Sequence, residues 1–518
     1  MERHRAAVRL ISSTIRSYFD RSLPYRISHG STNSTRPAHL KKSSHLVDIS
    51  ALKHVLEVNK ARKTALVEPN VPMDALVAAT LPHGLVPPVV MEFPGITAGG
   101  GFAGTAGESS SFRHGYFDET VKSVEMVLPD GEVANVTPAD KGDRADLWNG
   151  AVASVGTLGV TTLLEVGLVE AKKFVRTTYR RTGSVAEAIR VVKEECAKPE
   201  NDYVDGILFS KDHGVIISGT MTDEAPKAGE AIQTFSGPWD PWFYLHVQDV
   251  TKALPASSTG SAAAGESTVV TEHIPLAEYL FRYDRGGFWV GAAAFDYFKP
   301  VPFSRFFRWF LDDFLHTRML YRALHASGES AKFFVQDLAL PYETAEEFVD
   351  YTTDSLNIWP LWLCPLKTPG GPTFHPHLRG DKGAGEMLNI GVWGWGPKDR
   401  QEFVQVNRGL EAKVNELGGM KWLYAHTYYS ESEFWETYGN REHYEGLRRK
   451  YKATSLPDVY DKVRVKDAPP EQGWKAWVKS VWPLGGLVGI VRGIQSKDYM
   501  LHRNAPWKWN GESKEKTE

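Results

Sequence analysis

Cysteine is nearly absent from this sequence: among 518 residues only Cys196 and Cys364 occur. Two thiols so far apart in the chain supply neither a disulfide framework nor the ligand spacing of a structural zinc site. We therefore expect no metal site, and an intracellular protein whose cysteines stay reduced.

Long apolar runs are also missing. Residues 1–19 are basic and interrupted by charge every few positions, which excludes a signal peptide or a membrane span and predicts an amphipathic helix. Residues 477–494 are aromatic and apolar, but their uncharged run of about a dozen residues is too short to span a bilayer. This stretch predicts an interfacial anchor or a packed turn. Residues 303–309 interleave aromatics with Arg305 and Arg308, which fits either a membrane-resting helix or a packed amphipathic one.

An excess of charge of one sign is the third absence. The 60 basic and 63 acidic residues leave a formal charge of −3, so no strong positive field would attract DNA or RNA. The 42% hydrophobic and 24% charged residues are typical of a globular protein, and the length requires more than one domain. We expect a large packed core and no nucleic-acid partner.

The most distinctive stretch present is rich in glycine, with six glycines from Gly95 to Gly107. It is not a Rossmann fingerprint, which needs a strand, G-x-G-x-x-G and a helix, and no Gly-Lys-Ser/Thr follows as in a Walker loop. We predict a loop between strands whose unobstructed amides approach a pyrophosphate or a flat ring closely. A loop that only forms tight turns is the alternative.

The order of motifs around this stretch carries a resemblance. A polar loop from Gly30 to Pro37 precedes the glycines, and His114-Gly115, a Pro-Asp-Gly turn and Gly156-Thr157-Leu158-Gly159 follow them. This order resembles the FAD-binding domain of the p-cresol methylhydroxylase and vanillyl-alcohol oxidase superfamily (PCMH type). The stretches GITAGGGFAGTAGESSSFRHGYF, FFVQDLALP and LYAHTYYSESEFWE further resemble the Δ24-sterol reductase family, and the similarity extends to about residue 465.

The resemblance implies an α+β fold with three parts. Residues 1–172 would form a two-subdomain PCMH-type FAD-binding domain. Residues 173–465 would form an α+β cap or substrate domain whose C-terminal part returns toward the flavin. Residues 466–518 would be a tail, interfacial at first and then disordered.

The resemblance also implies an activity: FAD-dependent reduction of an isolated carbon–carbon double bond (Δ24) in a sterol or related terpenoid side chain, with NADPH reducing the flavin. A flavin-dependent oxidase of the same superfamily and a non-enzymatic sterol-binding flavoprotein are the alternatives. Animal and plant members carry an apolar span before the flavin domain that this sequence does not show. Truncation and solubility both fit this difference, so we expect the endoplasmic reticulum surface or the cytoplasm, with peripheral membrane contact. The oligomeric state stays open.

The family motifs imply a set of cofactor contacts. The expected FAD-binding residues are Gly30, Ser31, Thr32, Gly99, Gly100, Gly101, Gly104, Thr105, Glu108, Ser109, Ser110, His114, Gly115, Gly156, Thr157, Leu158 and Gly159. FAD is expected to bind without a covalent bond, since the reductases resemble the non-covalent members. Attachment through His29 is the alternative.

Reduction of an isolated alkene requires a hydride donor and a proton donor in an apolar pocket. The candidates for the acid are Glu108, Asp337 and Tyr428, together with His426 and Tyr429. A buried carboxyl keeps its proton near neutral pH, which favours Glu108 and Asp337 on chemical grounds. Capping or ion pairing is the structural alternative for each. The aromatic residues expected to include the substrate wall are Trp359, Trp362, Trp393, Trp395, Trp422, Tyr424 and Trp435.

Overall fold

The computed structural model describes residues 1–30, 45–226, 232–255, 269–368, 374, 378–379, 382–383, 385–465, 481–509 and 511. Two antiparallel sheets with helices packed around them dominate these ranges, and the predicted α+β class is confirmed.

The first sheet has five strands in the order β3-β4-β8-β6-β7. Its strands are β3 (Val55–Asn59), β4 (Thr64–Val67), β6 (Val121–Val127), β7 (Val133–Val136) and β8 (Val160–Gly167). Two short pairs lie beside it: β1 (Tyr25–Ser28) with β2 (His45–Asp48), which are parallel, and β5 (Leu85–Val86) with β9 (Val169–Glu170).

Helix α1 (Glu2–Asp20) packs on this part of the chain through Val8, Ile11 and Ile15, one face of a helical repeat. The predicted amphipathic helix over residues 1–19 is thus confirmed. At its start the buried His4 ring bonds to Glu68 at 2.9 Å and to Glu125 at 3.1 Å. Hydrogen bonds to Glu125 and Glu68 raise the pKa of His4 to about 9.

The glycine-rich stretch contains a helix, so the prediction of a loop there was wrong. Helix α3 (Ala98–Gly104) begins at Thr97, whose hydroxyl accepts the amide of Gly100 at 3.2 Å. A Cβ on Gly99 would lie 2.7 Å from Pro69, so glycine is required for this close approach. The other helices of this region are α2 (Met73–Thr80), α4 (Ser111–His114) and α5 (Leu147–Ala151), with 3₁₀ turns at Leu81–His83, Phe117–Thr120 and Gly142–Arg144.

The second sheet has eight strands in the order β13-β10-β12-β11-β15-β18-β14-β19. The strands are β10 (Phe174–Thr182), β11 (Tyr203–Ser210), β12 (His213–Thr222), β13 (Val269–Pro275), β14 (Phe333–Pro341), β15 (Leu361–Leu366), β18 (Met387–Trp395) and β19 (Met420–Lys421). A separate pair consists of β16 (Leu378–Arg379) and β17 (Lys382–Gly383).

Side chains alternate across this sheet and so divide its residues between two cores. On β14, Phe334 and Leu338 face a core shared with α6 (Val185–Cys196), α12 (Ala345–Ser355) and α13 (Arg400–Glu416). Val335 and Asp337 point to the opposite face, where a cavity lies.

The remaining helices surround the cavity face or return to the first sheet. They are α7 (Phe243–Thr251), α8 (Leu276–Leu280), α9 (Val290–Tyr297), α10 (Arg305–Phe310), α11 (Thr317–Ser327), α14 (Glu431–Tyr438), α15 (Arg441–Lys450), α16 (Val459–Val463), α17 (Leu484–Ser496) and α18 (Tyr499–Arg503), with 3₁₀ turns at Asp312–Phe314 and Glu329–Lys332. Helix α15 joins the N-terminal region through Tyr444, whose hydroxyl lies 2.8 Å from the Thr157 hydroxyl. In the part of the chain described, no helix combines the length and apolarity needed to cross a membrane.

Candidate active site

A cavity of about 420 Å³ lies between the glycine-rich segment and the eight-stranded sheet. One wall comes from α3 and the residues around it. The other comes from α11, from the cavity face of β14, β15 and β18, and from the segment after β19. Residues more than 300 positions apart in sequence, such as Gly104 and Trp422, therefore face the same space.

Four predicted glycines line the first wall: Gly99, Gly100, Gly101 and Gly104. A Cβ on Gly104 would meet no atom within 4 Å, so open space begins directly at this backbone. Thr105 ends the helix in a left-handed conformation, and its carbonyl accepts the indole N–H of Trp422 at 2.9 Å. Thr105 thus joins the two walls.

One end of the cavity is cationic. Arg26 and His29 from β1 and its end lie there with Lys462 from α16. The Lys462 ammonium donates to the carbonyls of Val155 at 3.1 Å and Gly156 at 2.9 Å. Positive side chains beside exposed backbone are chemically suited to a pyrophosphate.

Gly156 and Gly159 line this end, whereas Thr157 and Leu158 between them are fully buried. The Thr157 hydroxyl donates to the Ser154 carbonyl at 2.9 Å, which directs its side chain into the protein. Gly156 has φ +72°, a conformation that favours glycine.

The other predicted cofactor contacts lie behind the first wall or away from it. Ser109 and Ser110 are buried, and the Ser110 carbonyl accepts the amide of His114 at 3.0 Å. Gly115 has φ +76° and packs against Glu119. Gly30, Ser109, Ser110, His114 and Gly115 are not among the cavity-lining residues. Ser31 and Thr32 lie outside the described residues.

Two glutamates form a buried pair on the first wall. Glu108 and Glu92 both line the cavity and share a hydrogen bond. Burial, together with the charge of Glu92, raises the pKa of Glu108 well above its usual range, and burial also raises the pKa of Glu92. Such a pair holds at least one proton near neutral pH.

Asp337 supplies a third carboxyl, from the opposite wall. Burial raises its pKa to about 7, against the opposing effect of the Asn389 amide, which donates to it at 3.1 Å. The Tyr424 hydroxyl donates a short hydrogen bond to the other carboxylate oxygen. The protonated and ionised forms of Asp337 are therefore both populated near neutral pH.

Aromatic rings complete the second wall. Of the seven aromatic residues predicted to include the substrate wall, four line the cavity: Trp362, Trp393, Trp422 and Tyr424. Trp362 is oriented by Asp205, which accepts its indole N–H at 3.1 Å and also pairs with the buried Arg282 at 2.9 Å. These hydrogen bonds set the orientation of the Trp362 ring from behind the wall.

The predicted acid Tyr428 is not a cavity-lining residue. Its ring packs against Phe403 in the core behind the eight-stranded sheet, and its carbonyl accepts Arg408 at 2.7 Å. His426 and Tyr429 are likewise absent from the lining. The three carboxyls Glu92, Glu108 and Asp337 are the acids that the cavity brings together.

The lining residues that sequence reasoning missed include Glu92, Phe288 and Lys462. Glu92 could have been identified from the sequence, because an acid within the otherwise apolar residues 89–93 is unusual and points to a functional carboxyl. Phe288 has φ +55°, unusual for a bulky residue, and its ring lies 4.4 Å from that of Trp393. Neither Phe288 nor Lys462 is marked by its sequence neighbours.

Comparison with known proteins agrees with this geometry. Residues 8–137, which include the glycine wall and the Glu92–Glu108 pair, match the model of an FAD binding domain. The chain is 29% identical to the Delta(24)-sterol reductase of Homo sapiens over 442 residues, which cover 83% of this chain and 80% of the human protein.

Relatives from a plant and from a nematode are similar over nearly the same extent. Identity is 28% with the Delta(24)-sterol reductase of Arabidopsis thaliana, over 82% of this chain and 77% of the plant protein. It is 27% with a Delta(24)-sterol reductase homolog of Caenorhabditis elegans, over 82% of this chain and 79% of the relative. The chain is thus a homologue of the Delta(24)-sterol reductases of animals and plants, and carries an FAD binding domain in its first third.

Proposed function

We propose that this protein is an FAD-dependent oxidoreductase that reduces an isolated double bond (Δ24) in the side chain of a sterol or related terpenoid, with NADPH as the source of electrons. The observation that carries the proposal is the cavity itself. It has the glycine wall of an FAD binding domain on one side and, on the other, aromatic rings around a carboxyl whose pKa is raised to about 7.

The described residues fit FAD. Gly99, Gly100, Gly101 and Gly104 would hold the cofactor along the first wall, because their backbone lines the cavity and, at Gly104, leaves open space that a side chain would fill. Arg26, His29 and Lys462 would neutralise its pyrophosphate. Bound FAD supplies the hydride in its reduced form. We propose a non-covalent site, with His29 as a phosphate contact.

The proton would come from Asp337. An isolated alkene has no carbonyl to accept charge, so the second carbon must receive a proton from the protein. Asp337 meets this need because burial holds its proton up to about pH 7, and Tyr424 is bonded to the same carboxyl. Glu108 would stay neutral beside Glu92 and contact the cofactor from the first wall.

The aromatic wall would bind the apolar substrate and stabilise positive charge that develops during protonation. Phe288, Trp362 and Trp393 pack within 6.0 Å of one another, centroid to centroid, on the Asp337 side of the cavity. Ring faces attract a cation, and a dry site strengthens that attraction. The same wall offers few polar groups for a sugar.

We further propose an intracellular location for the protein.

Anaerobic stopped-flow absorbance at the flavin band tests the proposal. We expect NADPH to bleach the flavin, and a sterol with a side-chain double bond, such as desmosterol, to restore its colour without oxygen. If the sterol has no effect and oxygen restores the colour rapidly, the protein is an oxidase. Purified protein without flavin would contradict the central assignment.

A further inference from the structure

Helix α17 exposes its large apolar residues and buries glycines, the reverse of what is expected for a helix that only packs against its own protein. Gly486, Gly489 and Gly493 are buried against neighbouring helices. A Cβ on Gly489 would lie 2.7 Å from the Ala323 carbonyl of α11, so close packing requires glycine there. The opposite face is exposed and should therefore be polar.

That exposed face is instead aliphatic. Leu487, Val491 and Ile494 follow the i, i+4, i+7 spacing of one helix face and are 46%, 50% and 45% exposed. Trp482 before the helix and Leu501 in α18 are 54% and 51% exposed. We call these five residues, together with Met500, the C-terminal apolar face.

Helix α10, which is linked to α18, carries a second group of exposed apolar residues. Phe306 and Phe310 on α10 are 54% and 66% exposed, with their rings stacked at 6.3 Å. The 3₁₀ turn that follows α10 holds α18 through Asp313, which pairs with His502 at 3.0 Å and with Arg503. Helices α10 and α18 are thus fixed to one turn.

The charge of this region is positive, unlike that of the whole chain. Residues 481–509 contain Arg492, Lys497, Arg503 and Lys508 but a single acid, Asp498, which pairs with Arg322 at 2.7 Å. Arg503 is paired with Asp313 and Lys508 is partly buried, so Arg492 and Lys497 are the exposed cations without an acidic partner among the described residues. Exposed apolar groups with a tryptophan and two such cations match the headgroup region of an anionic bilayer. A 13-residue helix is about 20 Å long, less than the roughly 30 Å apolar core of a bilayer, so α17 would lie in the surface.

We propose that the C-terminal apolar face docks this protein on an anionic lipid membrane. Helix α11 connects this face to the candidate active site, because its Thr317, Leu320, Tyr321 and Leu324 line the cavity while its other side packs on α17. An apolar substrate dissolved in the bilayer would thus lie about one helix diameter from the cavity, roughly 10 Å. The docking itself does not depend on the proposed reaction.

Vesicle flotation of the full chain tests the docking. We expect the protein to float with vesicles of phosphatidylcholine mixed with phosphatidylserine, and more weakly with phosphatidylcholine alone. Val491→Asp should weaken binding by about tenfold, since it removes exposed methyl groups that would insert into the bilayer and adds a negative charge. Gln401→Asp, at an exposed position on α13, makes the same change of charge elsewhere and should leave binding unchanged.

Bound flavin and thermal unfolding, measured for both variants, establish that they fold, and flotation is scored whether or not the protein reduces a sterol. Absence of the unmodified chain from both vesicle fractions would overturn the proposal. Equal loss of binding in the two variants would also overturn it. So would a concentration-dependent dimer that Val491→Asp dissociates without vesicle binding, which would make the face an interface between two copies.

Discussion

At the scale of single residues, the chemistry of this site depends on the absence of a nearby cation. Among the residues that the structure describes, no basic side chain forms an ion pair with Asp337, whereas Asp205 in the same core is paired with Arg282. Burial without a counter-ion stabilises the neutral carboxyl, which is why the pKa of Asp337 rises to about 7. Of these two buried aspartates, Asp337 is the proposed proton donor, whereas Asp205 binds Arg282 and the Trp362 indole.

Asp337→Asn removes the proposed proton and keeps the shape of the side chain. We expect the rate at which a sterol restores flavin colour to fall by roughly 10²- to 10⁴-fold, the usual contribution of a positioned acid. Bleaching by NADPH should keep its rate, because that step does not need this proton. Stopped-flow absorbance resolves the two steps.

Tyr428→Phe is the matched control, because Tyr428 is buried in the core behind the sheet and away from the cavity. The sterol step of the unmodified protein should slow as pH rises through about 7, since Asp337 acts in its protonated form and loses it there. The residual rate of the Asp337→Asn variant should lack this pH dependence. An unchanged sterol step in that variant would assign the proton to another group.

At the scale of elements, α3 shows how a short helix can serve as a wall. The glycines of this helix serve two different purposes. A Cβ on Gly101 would lie 2.6 Å from Met91, so that glycine permits packing, whereas a Cβ on Gly104 would enter open space. The second kind of glycine can be substituted without disturbing the fold.

Gly104→Ala should therefore weaken FAD binding while leaving thermal stability of the apoprotein unchanged. A methyl group in space that the cofactor needs costs roughly 1–3 kcal/mol, so we expect the Kd for FAD to rise by roughly 5- to 150-fold. Gly385→Ala is the control, since a Cβ there also meets nothing but lies away from the cavity. Titration of the apoprotein with FAD, followed by flavin fluorescence, measures both; equal Kd values would place the cofactor elsewhere.

Elements with a strong periodic pattern were predictable from the sequence. The amphipathic spacing of residues 1–19 predicts α1. The alternation of side chains in Phe333–Pro341 is consistent with a strand that places Asp337 on one face of the sheet. The glycine-rich stretch was predicted as a loop between strands, but the Thr97 cap and packing against Pro69 support a helix there despite the low helix propensity of glycine. Such tertiary contacts are not visible in a local pattern.

At the scale of the whole molecule, the site is assembled from distant parts of the chain. Glu108 and Asp337 were identified as candidates from resemblance and chemistry, and both line the cavity. Tyr428 was a candidate on the same grounds, yet the chain turns at residues 423–425, so Tyr424 reaches Asp337 while the Tyr428 ring packs against Phe403. Phe288 and Lys462 meet the cavity only because the chain folds back, which sequence neighbours cannot indicate.

Product analysis after one anaerobic turnover tests the central claim most directly. Protein reduced with one equivalent of NADPH is mixed with desmosterol, and the sterol is extracted and analysed by mass spectrometry. The account predicts a saturated side chain, a mass increase of two hydrogens, and one product molecule for each flavin that regains its colour. Unchanged sterol beside reduced flavin, or a product that has gained oxygen in air, would contradict it.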